Sequence, residues 1–222
     1  LTVTPPTIVK IDTSDMSFVS NVTLAGTYGG AITGGDGSYL YVSLRDTPAV
    51  VHQINLSTMV VYQTWTGNAN DDVGSKVIYD GTYVYVALNN VNFGHNGVVK
   101  INPTTMLEID RWVAVSGVSA LGWDGIHIFA GTSSPVIINL IDYITMEESD
   151  AFVPTSGNYN ILCFASDGTY VYVGQGSLAA IVTKFGSITY PATSQMYATS
   201  YSYQRKSFNC SGLFWLFYTN GI

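Results

Sequence analysis

Asn68, Asn70, Asp71 and Asp72 fall within five residues, in the stretch Thr66-Gly-Asn-Ala-Asn-Asp-Asp-Val73. A second polar stretch, Asn89–Gly97, carries Asn92, Phe93 and His95. Amides and carboxylates beside a ring can hydrogen-bond sugar hydroxyls while the ring covers an apolar sugar face. The same oxygens would suit Ca²⁺, although Asp71-Asp72 lacks the ligand spacing of an EF-hand loop. The plainer reading of both stretches is solvated surface loop.

Glycoside hydrolysis asks for more, namely two carboxylates facing each other across a bond. The chain has 15 acidic residues. Asp36, Asp80, Asp124 and Asp167 each precede a glycine in one kind of turn, and Asp12, Asp15 and Asp142 fall in another. Glu108, Asp110, Glu147, Glu148 and Asp150 fall on strands expected at the periphery. Asp46, Asp71 and Asp72 remain, and two of those are adjacent. Neither G-x-S-x-G nor H-E-x-x-H occurs, so serine-hydrolase and zinc-hydrolase signatures are missing. The expectation is a protein without catalytic residues, without a metal and without a cofactor.

The elements that position these loops are legible from a repeat. DGTYVYV occurs at Asp80–Val86 and again at Asp167–Val173. Related segments begin at Asp36, Asp124 and Ser211, so the intervals are 44, 44, 43 and 44 residues. A second motif, I-[ND]-x-x-[TD]-M, lies between them. It begins at Ile11, Ile54, Ile101 and Ile141, with a degenerate fifth copy at Phe185–Tyr190.

Asp-Gly and Ser-Gly offer the positive φ of a tight hairpin. The alternating aromatic and β-branched residues that follow read as strand. The second motif joins a third strand (Gly97–Ile101) to a fourth (Leu107–Val113) through residues that bond their own backbone. No segment carries a helical period.

Four antiparallel strands in about 44 residues make one propeller blade. The whole chain resembles the β-propeller superfamily, in particular its NHL/YVTN-like repeats, whose blades read DG-x-x-YV…V-x-K-I-(D/N)-x-x-T. The resemblance implies an all-β fold, a single domain over residues 1–222, and five four-stranded antiparallel blades. It is silent on function, since propellers host many.

The chain begins with a third and fourth strand (Ile8–Leu24) and ends with a first and second (Lys206–Asn220). Pairing of these N-terminal and C-terminal strands would close the ring. The alternative is pairing between neighbouring subunits, which free strand edges would favour.

Column by column, several tempting residues read as packing. His127 shares a column with Tyr39, Tyr83, Tyr170 and Phe214, and His52 with Val9, Val99 and Asn139. Met16, Met59, Met106 and Met146 form one repeated core position. Trp65, Trp112 and Phe152 recur near the end of the fourth strand.

Composition sets the class. Apolar residues make up 47% and charged residues 10%, against about 25% charged in an ordinary soluble domain. Tyrosine (16) and glycine (22) are abundant, a pattern commoner in secreted, cell-surface and virion proteins. The net charge is −7 and no basic run occurs. Nucleic acid and anionic membranes are therefore poor partners, and no stretch approaches the roughly 18 apolar residues of a membrane span.

The chain opens on Leu1 with no signal-like segment, which reads as a processed chain or a fragment. Cys163 and Cys210 have no metal spacing and read by default as two buried thiols. Asn21, Asn55 and Asn209 head N-x-S/T triplets, acceptors if the chain passes through a glycosylating route.

The expectation is a non-enzymatic extracellular structural or interaction module, a self-associating subunit of a surface appendage, filament or virion. A lectin-like propeller binding glycans is the alternative, and a propeller glycosidase or lyase the reading least favoured.

Overall fold

The computed structural model describes residues 5–35, 37–72, 74–89, 95–154, 160–167, 169–176, 181–186, 196–198, 207–210 and 213–216. Within 181–186 the side chains of Val182 and Lys184 are described, and the last three stretches are described as backbone. The chain divides into two compact units, Leu1–Val118 and Ser119–Ile222.

The first unit opens with a two-stranded hairpin, β1 (Thr7–Ile11) and β2 (Phe18–Thr23). Two four-stranded sheets follow. One is β3 (Gly29–Gly34), β4 (Tyr39–Leu44), β5 (Val50–Asn55) and β6 (Val60–Thr66). The other is β7 (Gly74–Tyr79), β8 (Val84–Leu88), β9 (Gly97–Asn102) and β10 (Leu107–Val113).

The sheet β11 (Val118–Trp123), β12 (His127–Thr132), β13 (Ile138–Asp142) and β14 (Glu148–Phe152) begins on the last residue of the first unit and otherwise lies in the second. Next comes β15 (Ile161–Ser166), β16 (Tyr170–Gln175), β17 (Ile181–Gly186) and β18 (Met196–Ala198). The second unit ends in the two-stranded β19 (Ser207–Cys210) and β20 (Leu213–Leu216). Strand order follows chain order throughout, and no helix occurs among the described residues.

Two turns build each repeat. In the first, the carboxylate of Asp80 accepts the N–H groups of Thr82 and Tyr83, both at 2.6 Å. Asp124 does the same for Ile126 and His127, and Asp167 for Thr169 and Tyr170. Gly37, Gly81 and Gly125 supply φ values of 89°, 102° and 103°, which a Cβ would resist. These aspartates are turn formers, as their repetition suggested; Asp36 lies outside the described residues.

In the second turn, Asp12, Asn55, Asn102 and Asp142 each accept a backbone N–H two residues on. The methionine that closes the turn then takes a left-handed conformation, with φ of 62°, 52°, 49° and 53° at Met16, Met59, Met106 and Met146. Three residues later one residue is left unpaired in the ladder, at Val19, Tyr62, Ile109 and Ser149. Such a bulge adds local twist to a strand.

Neighbouring repeats are tied at equivalent places. Ser75 Oγ donates to the Val118 carbonyl at 2.8 Å, and Ser119 Oγ to that of Ile161 at 2.7 Å. Gly30 stands where those serines stand, and a Cβ there would come within 2.3 Å of the Gly74 carbonyl. On the third strands, Lys10 Nζ donates to the Leu56 carbonyl at 2.9 Å and Gln53 Nε2 to that of Pro103 at 3.0 Å. Apolar packing runs the same way. Tyr41, Val51 and Trp65 of one sheet share a core with Val86, Val99, Ile101 and Met106 of the next.

Two expectations need correction. Met59, Met106 and Met146 are buried, but Met16 is 72% exposed, because the β1–β2 hairpin has no described sheet on that side. Cys163 is a free, exposed thiol rather than a buried one; it sits over the bare backbone of Gly174, where a Cβ would come within 2.6 Å of its sulfur. Among the described residues, β1–β2 and β19–β20 are each two-stranded.

The shared left-handed turn makes a test. At Met16 little packing is at stake, so Met16→Gly should be neutral or stabilising by up to about 1 kcal/mol. Met106→Gly should cost roughly 2–4 kcal/mol through lost burial. Urea unfolding of the two variants checks the contrast.

Candidate functional site

The loop between β6 and β7 closes on a buried charge. Asp71 has no exposed surface, and Arg111 of β10 grips both its oxygens at 3.0 Å. Asn68 adds its backbone N–H at 2.8 Å and its side-chain amide at 3.2 Å to Oδ2. His95 Nδ1 lies 3.4 Å from Oδ1. Residue 67 must be small here, since a Cβ on Gly67 would come within 2.8 Å of the Asp71 Cβ.

Arg111 also binds Glu108 on its own strand, at 2.6 and 2.7 Å. Burial pushes the Asp71 carboxyl up, but the hydrogen bonds from Arg111 and Asn68 and the charges of Arg111 and His95 outweigh it, so its pKa is lowered. The Arg111 guanidinium is held more basic than usual by hydrogen bonds to Glu108 and then Asp71.

A carboxylate so neutralised is a structural clamp near neutral pH, not a proton donor or a free ligand. The expectation of Asp71 on a solvated face is therefore overturned. Asp72 accepts a hydrogen bond from the Thr47 hydroxyl, so both carboxylates of the loop are engaged within the protein. Asn68 and Asn70 are exposed and His95 is half-exposed. Asn92 and Phe93 lie outside the described residues. Among the described residues no three His, Cys, Asp or Glu side chains converge as a metal site would require.

Sequence reasoning missed Arg111. The signal was present, for the chain has only three arginines, Arg45, Arg111 and Arg205, and one of them interrupts an otherwise acidic fourth strand. His52, by contrast, packs as expected. It is buried, with Nδ1 2.8 Å from the Thr64 hydroxyl and Nε2 3.3 Å from the Ala25 carbonyl, and burial lowers its pKa. Of the acceptor asparagines, Asn21 is exposed on β2, Asn55 is engaged in its turn, and Asn209 is described as backbone.

A second candidate is an apolar face. Val9 and Ile11 on β1 are 50% and 47% exposed. Their column mates are buried: His52, Val99 and Asn139 at 6%, 0% and 4%, and Ile54, Ile101 and Ile141 at 0% each. With Met16, these residues mark the side of the hairpin that, in both four-stranded sheets of the first unit, is covered by the repeat before it. In the second unit two apolar residues on the opposite side of a sheet are exposed. Val182 of β17 is 38% exposed, whereas its counterparts Val51, Val98 and Ile138 are at 0%, 0% and 3%. Leu162, at the bulge position of Ser75 and Ser119, is 53% exposed.

No family model matches the sequence, and no curated protein matches it. Among solved structures, a chain of Kuenenia stuttgartiensis hydrazine synthase superposes with a TM-score of 0.70 at 16% identity over 82% of this chain. The β-propeller domain of Cps50 (Swd1) from Myceliophteria thermophila does so with 0.68 at 15% identity over 89%. U3-55K does so with 0.66 at 13% identity over 81%. This chain spans 57%, 66% and 57% of those chains. At such identities the likeness concerns the fold.

The clamp gives two predictions. Asp71→Asn should destabilise by roughly 3 kcal/mol, the order expected when a buried charge loses its partner. Because the folded pKa of Asp71 lies below its unfolded value, its stabilisation is complete above about pH 4 and is lost as pH falls through the folded pKa. Urea unfolding between neutral and acid pH should show a shallower acid loss in Asp71→Asn than in the wild type.

Proposed function

We propose that this chain, which has the β-propeller fold, is a non-enzymatic structural or interaction module that works as a repeating subunit of an extracellular assembly, such as a surface appendage, filament or virion. The supporting observation is a set of exposed apolar side chains. Val9, Ile11 and Met16 on one side and Leu162 and Val182 on the other occupy columns that interior repeats keep from water or tie to the next repeat. Burying the half of each such side chain that is still exposed would gain about 1 kcal/mol apiece.

Five copies of about 44 residues account for nearly all of the 222. In this reading they make five blades, the fifth assembled when β1–β2 takes β19–β20 as its first and second strands. The engagement of Asp71 and Asp72 within the protein favours this reading over a lectin, whose site would need those oxygens for a sugar. The low charge supports the extracellular setting.

The purified chain should associate as its concentration rises, seen by light scattering and electron microscopy. A chain that stays monomeric throughout, with no ordered assembly in native material, would sink the subunit reading.

A further inference from the structure

We infer that His52 is an acid-sensitive latch on the seam between the β1–β2 hairpin and the β3–β6 sheet: the neutral imidazole holds that seam closed, and its protonation loosens it. The seam lies inside the first unit, and the inference is independent of the subunit reading above.

One segment, Leu24–Tyr28, leads from β2 to β3 and forms the seam. The Leu24 N–H donates to the Pro6 carbonyl at 2.8 Å, the Thr27 N–H to Asp46 Oδ1 at 2.8 Å, and the Arg45 N–H to the Tyr28 carbonyl at 2.9 Å. A Cβ on Gly26 would come within 2.4 Å of both the Asp46 carboxylate and the Leu44 side chain, so the segment lies close against the sheet. Leu24 packs there with Val42, Leu44 and Ile54, flanked by Ile8 and Val22 of the hairpin. The Ala25 carbonyl meets Nε2 of His52 at 3.3 Å.

That contact fixes the tautomer. A carbonyl oxygen only accepts, so Nε2 carries the proton. Nδ1, 2.8 Å from the Thr64 hydroxyl, then accepts from it. Both ring nitrogens are satisfied in the neutral form. A second proton goes to Nδ1, and the Thr64 hydroxyl must turn from donor to acceptor. The new charge sits on a residue only 6% exposed, and a buried charge without an ion partner is costly. Val9, Val99 and Asn139 fill the same column, and none of them titrates. Asn139 makes a comparable bond, from Nδ2 to the Ala130 carbonyl at 3.2 Å, with a neutral amide.

The charged groups nearby do not neutralise the imidazolium. β2, β3, β4 and β6 carry none, and β5 none besides His52 itself. Lys10 of β1 gives its Nζ to the Leu56 carbonyl at 2.9 Å. Arg45, between β4 and β5, is exposed. Asp71 and Asp72 are engaged by Arg111 and Thr47. Burial lowers the His52 pKa, against the Ala25 bond and the Asp46 charge, which both raise it.

With its folded pKa lowered, the imidazole takes the proton first where the seam is open, at an ordinary value of about 6.5. The closed seam is fully held above about pH 6.5 and loses ground as the pH falls below it. A single proton changes the balance by at most about tenfold per pH unit. The Asp71 clamp is complete down to about pH 4, so the two acid effects fall in separate windows.

Hydrogen exchange of the full chain, resolved by residue and corrected for the intrinsic pH dependence of exchange, tests the latch between about pH 7.5 and pH 5. Protection at Leu24, Thr27 and Arg45 should fall on acidification in the wild type, by up to about tenfold per pH unit. It should stay level in His52→Val, which takes the residue found at Val9 and Val99, and in His52→Gln, whose neutral amide keeps a donor and an acceptor. Wild-type protection that holds or rises overturns the latch, as does an equal fall in a folded variant. If neither variant folds, NMR titration of the wild-type ring nitrogens decides. The neutral ring should carry its proton on Nε2 and take up the second only below about pH 6.5; a titration at or above that value overturns the inference.

Discussion

A sheet of this repeat has two apolar faces and can bury neither by itself. Val51, Val98 and Ile138 face forward, while Ile54, Ile101 and Ile141 face back, and all six are at most 3% exposed. Where two sheets of one unit meet, the face of one is shielded by the other rather than by a helix or a loop. Stability in such an array is a sum of repeat and nearest-neighbour terms. The described turns present successive sheets of a unit so that these faces meet.

The turns and bulges do that presenting. Asn or Asp fixes the start of the third-to-fourth-strand turn, a left-handed methionine ends it, and one unpaired residue follows three positions on. A left-handed non-glycine residue costs roughly 1–2 kcal/mol, and at Met59, Met106 and Met146 the burial of the thioether chain offsets it. At the interfaces a single position, five residues after the methionine, does varied work. Thr64 meets His52, which reaches the Ala25 carbonyl, and Arg111 reaches Asp71. The strands repeat because the faces must match, and the loops differ because each interface solves its polar contacts with different residues.

That division explains what could be read beforehand. The strands, both turn types and the terminal half-repeats follow from residues with strong local preferences, Asp-Gly, Asn-x-x-Thr-Met and alternating aromatics, repeated until the pattern was plain. Asp71 was misplaced because its surroundings are made by Arg111, forty residues away in sequence, and no local rule links them. Met16 was misjudged for the opposite reason. Its sequence context matches Met59 and Met106, but burial belongs to the neighbour a residue has, and the neighbour is not written in its own repeat. Of the candidate loop residues, Asn68, Asp71 and His95 do come together, around a clamp rather than an open ligand site.

The exposed thioether of Met16 also makes the molecule chemically uneven. Peroxide converts accessible methionine to the polar sulfoxide and spares what is packed away. Met59, Met106 and Met146, each no more than 7% exposed, are shielded by the same packing that forms the array. Of these four turns, mild oxidation therefore marks that of Met16, and would make it polar while leaving those of Met59, Met106 and Met146 as they are.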